Sequence, residues 1–247
     1  MSRRVRIVQA GDAALVAEFD ARIEAGINAR ALALAGAIRA DRLGGVLDVV
    51  PAFRTVTVYF DPLTSDLDLL VAAIRRHAAE EEHAPAQQEP RAIEVPVCYG
   101  GELGPDLPDV ARRAGLSERE VVERHAAVVY RVYMLGFVPG FAYLGRVDPA
   151  IAVPRRSSPR THVPTGSVAI ADELTAVYPG GTPGGWQIIG CTRVRPYRVG
   201  RRARSGQAGH ALFTPGDAVR FLPIDRAAYD ASATEASDAS ATEASTS

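Results

Sequence analysis

The first third of the chain switches between the hydrophobic periodicities of strand and helix. Alternating apolar and polar residues predict strands, and Gly11-Asp12 predicts a short turn between the first two. Segments rich in alanine and leucine predict helices. The predicted order is a strand at 5–9, a strand at 13–19, a helix at 28–40, strands at 46–53 and 55–60, and a helix at 66–82. This ββαββα order is typical of a compact α+β module.

The pattern changes after "HAPAQQEPR" at 83–91, a segment with two prolines and few apolar residues that is typical of a linker. We predict a domain boundary near residue 88. A strand is predicted at 92–98, and Ser117 followed three residues later by Glu120 predicts a helix with a capping box. From about 130 to 224, short β-like segments alternate with Pro, Gly and Thr, which predicts a barrel or a sandwich.

The end of the chain repeats "ASATEAS" at 231–237 and 239–245. So small and polar a segment buries too little apolar area to offset its ordering entropy, so we predict a disordered tail over 231–247. The predicted domains are therefore an N-terminal α+β domain at 1–85 and a β-rich domain at 92–225.

Composition excludes several kinds of chemistry. All 28 basic residues of the 247 are arginine. A P-loop, Schiff-base catalysis and covalent attachment of biotin or lipoyl groups each need a lysine, so all three are excluded. The net charge of −1 gives no general attraction to nucleic acid or to an anionic membrane. The five histidines lack the spacing of metal ligands, so we predict no metal site.

The sequence also predicts a compartment. The N-terminus lacks the apolar core of a signal peptide, and no apolar stretch approaches the ~18–20 residues of a spanning helix. Cys98 and Cys191 are too few for a disulfide framework. We therefore expect a cytoplasmic protein with two free thiols.

Three segments dense in proline and glycine are candidates for a binding site: "YMLGFVPGFAYLG" at 133–145, "VPRRSSPRTHVPTGSVAI" at 153–170 and "VYPGGTPGGWQIIGCTRVRPYR" at 177–198. Such segments fix an irregular backbone and leave room for a close approach. The alternative is that the aromatic residues are core packing at a tight β-corner. The predicted pocket residues are Phe137, Pro139, Gly140, Phe141, Tyr143, Tyr178, Gly184, Gly185 and Trp186.

Charged candidates lie beside these segments. "PRRSSPR" places Arg155, Arg156 and Arg160 on a proline-stiffened loop, where guanidinium groups can bind carboxylate or phosphate in a bidentate manner. The alternative is a solvated surface loop. His125, near the end of the predicted capped helix, is a general acid/base candidate if it faces the cavity, and otherwise a histidine that hydrogen-bonds backbone.

Four ordered motifs resemble one family. "YRVYMLGFVPGFAYLG", "VPRRSSPRTHVPTGSVAIA", "VYPGGTPGGWQIIGCT" and "LFTPGDAVRFLPI" are similar to the B-subunit family of bacterial ATP-dependent 5-oxoprolinase, also called the allophanate hydrolase subunit 1 or KipI family. "GDAALVAEF" and "VPAFRTVTVYFDP" extend the resemblance over about residues 5–225. The resemblance implies an α+β fold: a small N-terminal α+β domain followed by a cyclophilin-like β-barrel.

The resemblance also implies a function in a complex. Together with a C subunit, which carries a related barrel, and an A subunit, the chain would open 5-oxoproline to L-glutamate using ATP with Mg²⁺ bound by the complex. A lactam amide is a poor electrophile, so coupling to ATP suggests phosphoryl activation of its oxygen, which needs cationic contacts. Arg155 and Arg160 are then expected to contact anions, the aromatic residues to wall a small-molecule pocket, and His125 to transfer protons.

Two other functions within the family stay open. One is a KipI-like inhibitor that binds a histidine kinase. The other is a subunit acting on urea or allophanate, as in the related half of urea amidolyases. Because the chain has no lysine, the second alternative requires a separate biotinylated partner.

Overall fold

The computed structural model describes residues 5–80, 91–199 and 209–232. The chain divides into two compact units, Met1–Pro90 and Arg91–Ser247. The predicted linker, except for Arg91, lies outside the described residues. Of the predicted tail, residues 231 and 232 end a helical segment at 226–232, and the rest lies outside the described residues.

The first unit is a four-stranded antiparallel sheet with two helices. Its elements are β1 (Arg6–Gln9), β2 (Ala14–Glu18), α1 (Ala25–Asp41), β3 (Val46–Pro51), β4 (Thr55–Phe60) and α2 (Leu67–Glu80), in the predicted order ββαββα. The strands lie side by side in the order β1-β2-β4-β3. Aliphatic residues of the sheet and of both helices share one buried cluster, which includes Val56, Val58, Leu34 and Ile74.

The second unit begins with one strand and two helices. These elements are β5 (Ala92–Tyr99), α3 (Leu107–Ala114) and α4 (Glu118–Ala127), with a 3₁₀ turn at Gly101–Leu103. A proline in the first turn starts α3, and Gly115 ends it with a φ of 66°. The α4 helix has the predicted capping box: the Ser117 hydroxyl accepts from the backbone N–H of Glu120, and the Glu120 carboxylate accepts from the backbone N–H of Ser117.

The rest of the second unit is strand-rich, as predicted. The strands are β6 (Val129–Leu135), β7 (Ala142–Gly145), β8 (Arg160–Val163), β9 (Ser167–Ala171), β10 (Leu174–Val177), β11 (Thr182–Gly184), β12 (Gln187–Cys191), β13 (Tyr197–Val199), β14 (Gly209–Ala211) and β15 (Ala218–Pro223), with a 3₁₀ turn at Pro149–Ile151. Two pairs, β8 with β11 and β13 with β14, form separate two-stranded ribbons. The predicted mixed α+β class with a barrel is confirmed.

Among the described residues, seven strands close into a barrel in the order β10-β7-β6-β15-β5-β12-β9. The strands pair antiparallel except for β15 and β5, which are parallel and run together from Ala218↔Ala92 to Pro223↔Val97. Side chains from nearly every strand meet in one buried cluster with α3 and α4, including Val97, Tyr130, Ile170 and Phe221.

His125 is a buried polar residue of this interior. The last turn of α4 places it with no exposed surface, and its ring stacks on Phe221 with centroids 4.7 Å apart. Its Nδ1 is 2.8 Å from the Tyr99 hydroxyl, and its Nε2 is 2.9 Å from the Thr175 hydroxyl. The Tyr130 hydroxyl donates to the His125 carbonyl. Burial lowers the pKa of His125 from 6.5 to about 3, so the imidazole is neutral at physiological pH.

This burial predicts a stability that depends on pH. Below pH 6.5 the unfolded chain protonates His125 but the folded chain does not, so the free energy of unfolding falls with pH down to about 3. We expect His125 to contribute a slope of about 1.4 kcal/mol per pH unit in this range. His125→Gln should remove that slope in urea unfolding series, whereas His210→Gln, at an exposed position, should keep it. Parallel curves for wild type and His125→Gln would contradict the assignment.

Candidate functional site

A second buried cluster lies on the face of β9 opposite the barrel interior. Val168 and Ile170 belong to the barrel core, whereas Ala169 and Ala171, which alternate with them, pack in the second cluster. Alternate residues of a strand point to opposite faces of the sheet. With Ala176 of β10, these alanines form a shelf of small side chains, which leaves room for large rings.

Aromatic residues from two of the three predicted segments, 133–145 and 177–198, meet on this alanine shelf. Phe141 is central: its ring centroid is 5.2 Å from that of Tyr178, 5.6 Å from Trp186 and 5.0 Å from Tyr143, each in an edge-to-face arrangement. Edge-to-face pairs add stabilisation beyond the area that they bury. Phe141, Tyr178 and Trp186 are buried, Tyr143 is half-buried, and Phe137 at the margin is 62% exposed.

Two of the predicted glycines are required by close packing around these rings. Gly140 has a φ of 79°, and a Cβ there would lie 2.5 Å from Cβ of Tyr197. A Cβ at Gly184 would lie 2.4 Å from the Tyr178 hydroxyl oxygen. Gly185 has no contact this short, and Pro139 is exposed at the loop tip. The predicted rings therefore form a packed cluster with an exposed margin. This arrangement is similar to the alternative interpretation, in which the aromatic residues are core packing.

Asp106 organises the charged side of this site. Its carboxylate accepts hydrogen bonds from Nη1 of Arg156 at 2.9 Å, from Nη1 and Nη2 of Arg160 at 2.8 Å each, and from the backbone N–H of Ile188 at 2.7 Å. The Asp106 side chain is 6% exposed. A buried carboxylate needs such charge-assisted partners to offset its desolvation. The carboxylate joins the start of α3 to β8, β12 and the loop at 154–159.

The three arginines of the loop therefore differ in what they bind. Arg160, predicted to be an anion contact, has both Nη atoms on Asp106, and Arg156 shares the same carboxylate. Arg155 is exposed, and its guanidinium carbon lies 5.8 Å from the centroid of the Trp186 ring. Among the described residues Arg155 has no carboxylate partner. It is the guanidinium of this loop that is available to an external anion.

Two tyrosines of the cluster stay protonated at neutral pH. Burial raises the pKa of Tyr178, and a backbone hydrogen bond from Trp186 and the positive charge of Arg155 oppose this rise only in part. Burial likewise raises the pKa of Tyr143. Both hydroxyls are therefore hydrogen-bond donors next to Arg155, and the site as a whole favours a ligand with negative charge and an apolar face.

Sequence reasoning missed Asp106 and over-valued His125. Asp106 lies 50 and 54 residues before its arginine partners, so no spacing pattern connects them; the available signal was an acidic residue directly before the Leu107-Pro108 helix start. The acid/base role of His125 required it to face a cavity. It instead lies in the barrel interior, where Tyr99 and Thr175 bond its two ring nitrogens, and its ring contacts belong to the barrel core rather than to the cluster around Trp186.

Neither a metal centre nor a membrane-spanning helix emerges within the described ranges. Acidic, histidine and cysteine side chains do not gather there in groups of three or more that could bind a metal ion. The helices in those ranges are too short or too polar to cross a bilayer.

A family of carboxyltransferase domains matches most of the chain. The family described as "Carboxyltransferase domain, subdomain C and D" matches residues 5–205. The chain belongs to this family, within which its curated relatives are named as the B subunit of 5-oxoprolinase, and the family predicted from the motifs is confirmed. The relative from Bacillus subtilis (strain 168) is 38% identical over 96% of this chain and 100% of its own length. That from Escherichia coli O157:H7 is 40% identical over 90% of this chain and 97% of its own.

Solved structures show the same fold. The crystal structure of TTHA0988 is 37% identical with a TM-score of 0.72, and the match covers 86% of this chain but only 40% of that chain. The Kluyveromyces lactis urea amidolyase matches at 18% identity with a TM-score of 0.71, over 92% of this chain and 15% of that chain. At this identity the second match shows the fold alone.

The four hydrogen bonds of Asp106 predict a large stability cost for its removal. Asp106→Asn leaves two guanidinium groups without their charge partner, and we expect a loss of about 3 kcal/mol in the free energy of unfolding. This value is at the lower end of the range expected for breaking a buried ion pair, because the side chains of Arg156 and Arg160 retain some exposure. Glu123→Gln, which breaks the exposed pair with Arg119, is the control and should be unchanged. Equal urea midpoints for both variants would count against the central role of Asp106.

Trp186 predicts a second large effect. Its ring is 5% exposed and contacts Phe141 and Tyr143, so Trp186→Ala should cost about 3–5 kcal/mol. Phe137→Ala, which truncates a 62% exposed ring, should cost less than about 1 kcal/mol. Denaturant unfolding followed by circular dichroism measures both, and a small loss for Trp186→Ala would mean that the cluster is loosely packed.

Proposed function

We propose that this chain is the B subunit of an ATP-dependent 5-oxoprolinase, which opens the lactam of 5-oxoproline to L-glutamate. The observation that carries the proposal is the 38% identity to the B subunit of Bacillus subtilis 5-oxoprolinase across 96% of this chain and all of the relative. The names of the relatives imply that the chain is part of a hydrolase complex. We propose in addition the substrate, the dependence on ATP and the identity of the partner subunits.

The chain is proposed to work with an A subunit and a C subunit rather than alone. The match to TTHA0988 covers 86% of this chain but 40% of that longer one, so a relative carries this segment joined to further sequence. This supports a function that needs more polypeptide than these 247 residues.

The residues present do not fit a complete site for ATP with Mg²⁺. The chain has no lysine for a phosphate-binding loop, and its described part brings together no cluster of acidic side chains that would hold the metal. ATP and Mg²⁺ are therefore proposed to be bound at the level of the complex. The residues of the candidate site are instead suited to bind one anionic group.

Arg155 is the proposed contact for that anion, the substrate carboxylate. Its guanidinium lies at the exposed margin of the aromatic cluster, whose Trp186 ring fixes its position by a cation–π contact. The methylene groups of the 5-oxoproline ring would lie against Phe137 and Tyr143 while the carboxylate pairs with Arg155. Arg160 is proposed to act in this site through Asp106, by holding the loop, and His125 has no proposed role in proton transfer.

Reconstitution tests the activity. The chain co-purified with its A and C subunits should release glutamate from 5-oxoproline only when ATP and Mg²⁺ are both supplied, and none of the three should do so alone. A full complex that turns over urea or allophanate instead, or a chain that captures a histidine kinase but no C subunit, would replace this proposal with one of the two alternatives.

Arg155 predicts a specific kinetic change in the reconstituted complex. Losing a charge-assisted hydrogen bond costs about 1.5–3 kcal/mol, so Arg155→Ala should raise the KM for 5-oxoproline by about tenfold or more. Because Arg155 is exposed, the free energy of unfolding should stay unchanged. Arg155→Lys should recover part of the effect, since it keeps the charge but loses the fork.

Arg119→Ala is the matched control for an exposed arginine on the same unit, and it should behave as wild type. If Arg155→Ala leaves the KM unchanged, Arg155 does not contact the substrate. The proposed activity of the complex would still stand in that case.

A further inference from the structure

The two cysteines of the chain face each other across adjacent barrel strands. Cys98 on β5 and Cys191 on β12 are direct register partners in an antiparallel pair. Such partners have Cα atoms about 4.5–5.5 Å apart and side chains on the same face of the sheet. A disulfide requires Cα atoms about 4.4–6.8 Å apart. The backbone therefore holds these two free thiols at bridging distance without movement of either strand.

A tyrosine from the C-terminal helical segment covers the pair. Cys98, Cys191 and Tyr229 form one buried cluster, with Tyr229 on the helical segment at 226–232. The Tyr229 hydroxyl donates a hydrogen bond to Sγ of Cys191 at 3.2 Å. The guanidinium carbon of Arg193 lies 4.3 Å from the centroid of the Tyr229 ring, so a positive charge is close to the cluster.

These contacts make the two thiols unequal. The Tyr229 hydrogen bond goes to Sγ of Cys191, and such a donor stabilises the negative charge that this sulfur carries when it attacks a peroxide. Burial raises the pKa of the Tyr229 hydroxyl to about 12, so this donor keeps its proton at neutral pH. Burial also raises the pKa of Cys98, which keeps that thiol protonated. Cys191 is therefore placed to react first and Cys98 second.

We propose that Cys98 and Cys191 form a dithiol site that a peroxide oxidises to an intramolecular disulfide. The Cys191 thiolate attacks one oxygen of hydrogen peroxide, which breaks the O–O bond, forms a sulfenic acid and releases hydroxide. The Cys98 sulfur then attacks the sulfenic sulfur, which forms the S–S bond and releases water that includes the Cys98 proton. In total the two sulfurs lose two electrons, and one peroxide is reduced to two waters.

Access to the site depends on the C-terminal helical segment. Cys98 and Cys191 are 7% and 6% exposed, and Tyr229 packs over them. Local opening of residues 226–232 therefore has to precede reaction, and local opening costs less than global unfolding. The reversible disulfide adds a covalent link between β5 and β12 that thiol reductants remove. None of these steps depends on the proposed hydrolase activity.

Mass spectrometry of the purified full chain tests the site. After treatment with hydrogen peroxide and alkylation under denaturing conditions, the intact mass should show the loss of two hydrogen atoms and no alkylated thiol. Peptide mapping should give one cross-linked pair containing Cys98 and Cys191, and dithiothreitol should restore both free thiols. Overoxidation of one cysteine alone, or a disulfide between two chains, would overturn the proposal, and this measurement needs no variant.

Variants then test the order of reaction. Cys98→Ser should stop at a sulfenic acid on Cys191 that dimedone traps, whereas Cys191→Ser should leave Cys98 reduced. Tyr229→Phe keeps the ring but removes the donor to Cys191, so the rate constant of disulfide formation should fall severalfold. Tyr59→Phe, at a half-exposed tyrosine of the first unit, is the matched control and should react as wild type. Dimedone trapping on Cys98, or an unchanged rate in Tyr229→Phe, would overturn the assignment of Cys191 as the attacking thiol.

Discussion

The ionic contact between Asp106 and two arginines determines how the second unit presents its site. One buried carboxylate joins the start of α3, the N–H of Ile188 on β12 and the loop that leads into β8. Burying a carboxylate is unfavourable unless its oxygens are fully bonded, so the loop has to stay where its guanidinium groups reach Asp106. Arg155 sits between Pro154 and Arg156, so this constraint places its backbone, and the contact with the Trp186 ring then positions its guanidinium.

Packing of the aromatic rings depends on small residues. Ala169, Ala171 and Ala176 leave space above the barrel strands, and three large rings occupy it. Gly184 then allows the Tyr178 hydroxyl to approach the backbone of β11. The Trp186 ring and the ionic contact of Asp106 together hold the loop at low entropic cost, which suits a site that must keep one guanidinium oriented toward a ligand.

Local patterns predicted the elements well, because periodicity and capping depend on neighbouring residues. The six elements of the first unit and the capping box at Ser117 are examples. The strand-rich second half was also predicted, but its closure was not derivable from local pattern, because β15 pairs with β5 across more than a hundred residues. The candidate site shows the same division. Its rings lie in two of the three Pro- and Gly-rich segments that the sequence singled out, whereas the partners of Asp106 and the burial of His125 depend on tertiary contacts.

The parallel pairing of β5 with β15 also determines when the barrel can close during synthesis of the chain. The first strand of the barrel leaves the exit tunnel long before its neighbour, Ala218–Pro223, has been synthesised. Until that last strand emerges, β5 lacks one neighbour and the barrel stays open along this seam. The second unit therefore completes its fold only after Ala218–Pro223 has been synthesised, whereas the sheet and helices of the first unit are by then already synthesised and free to fold.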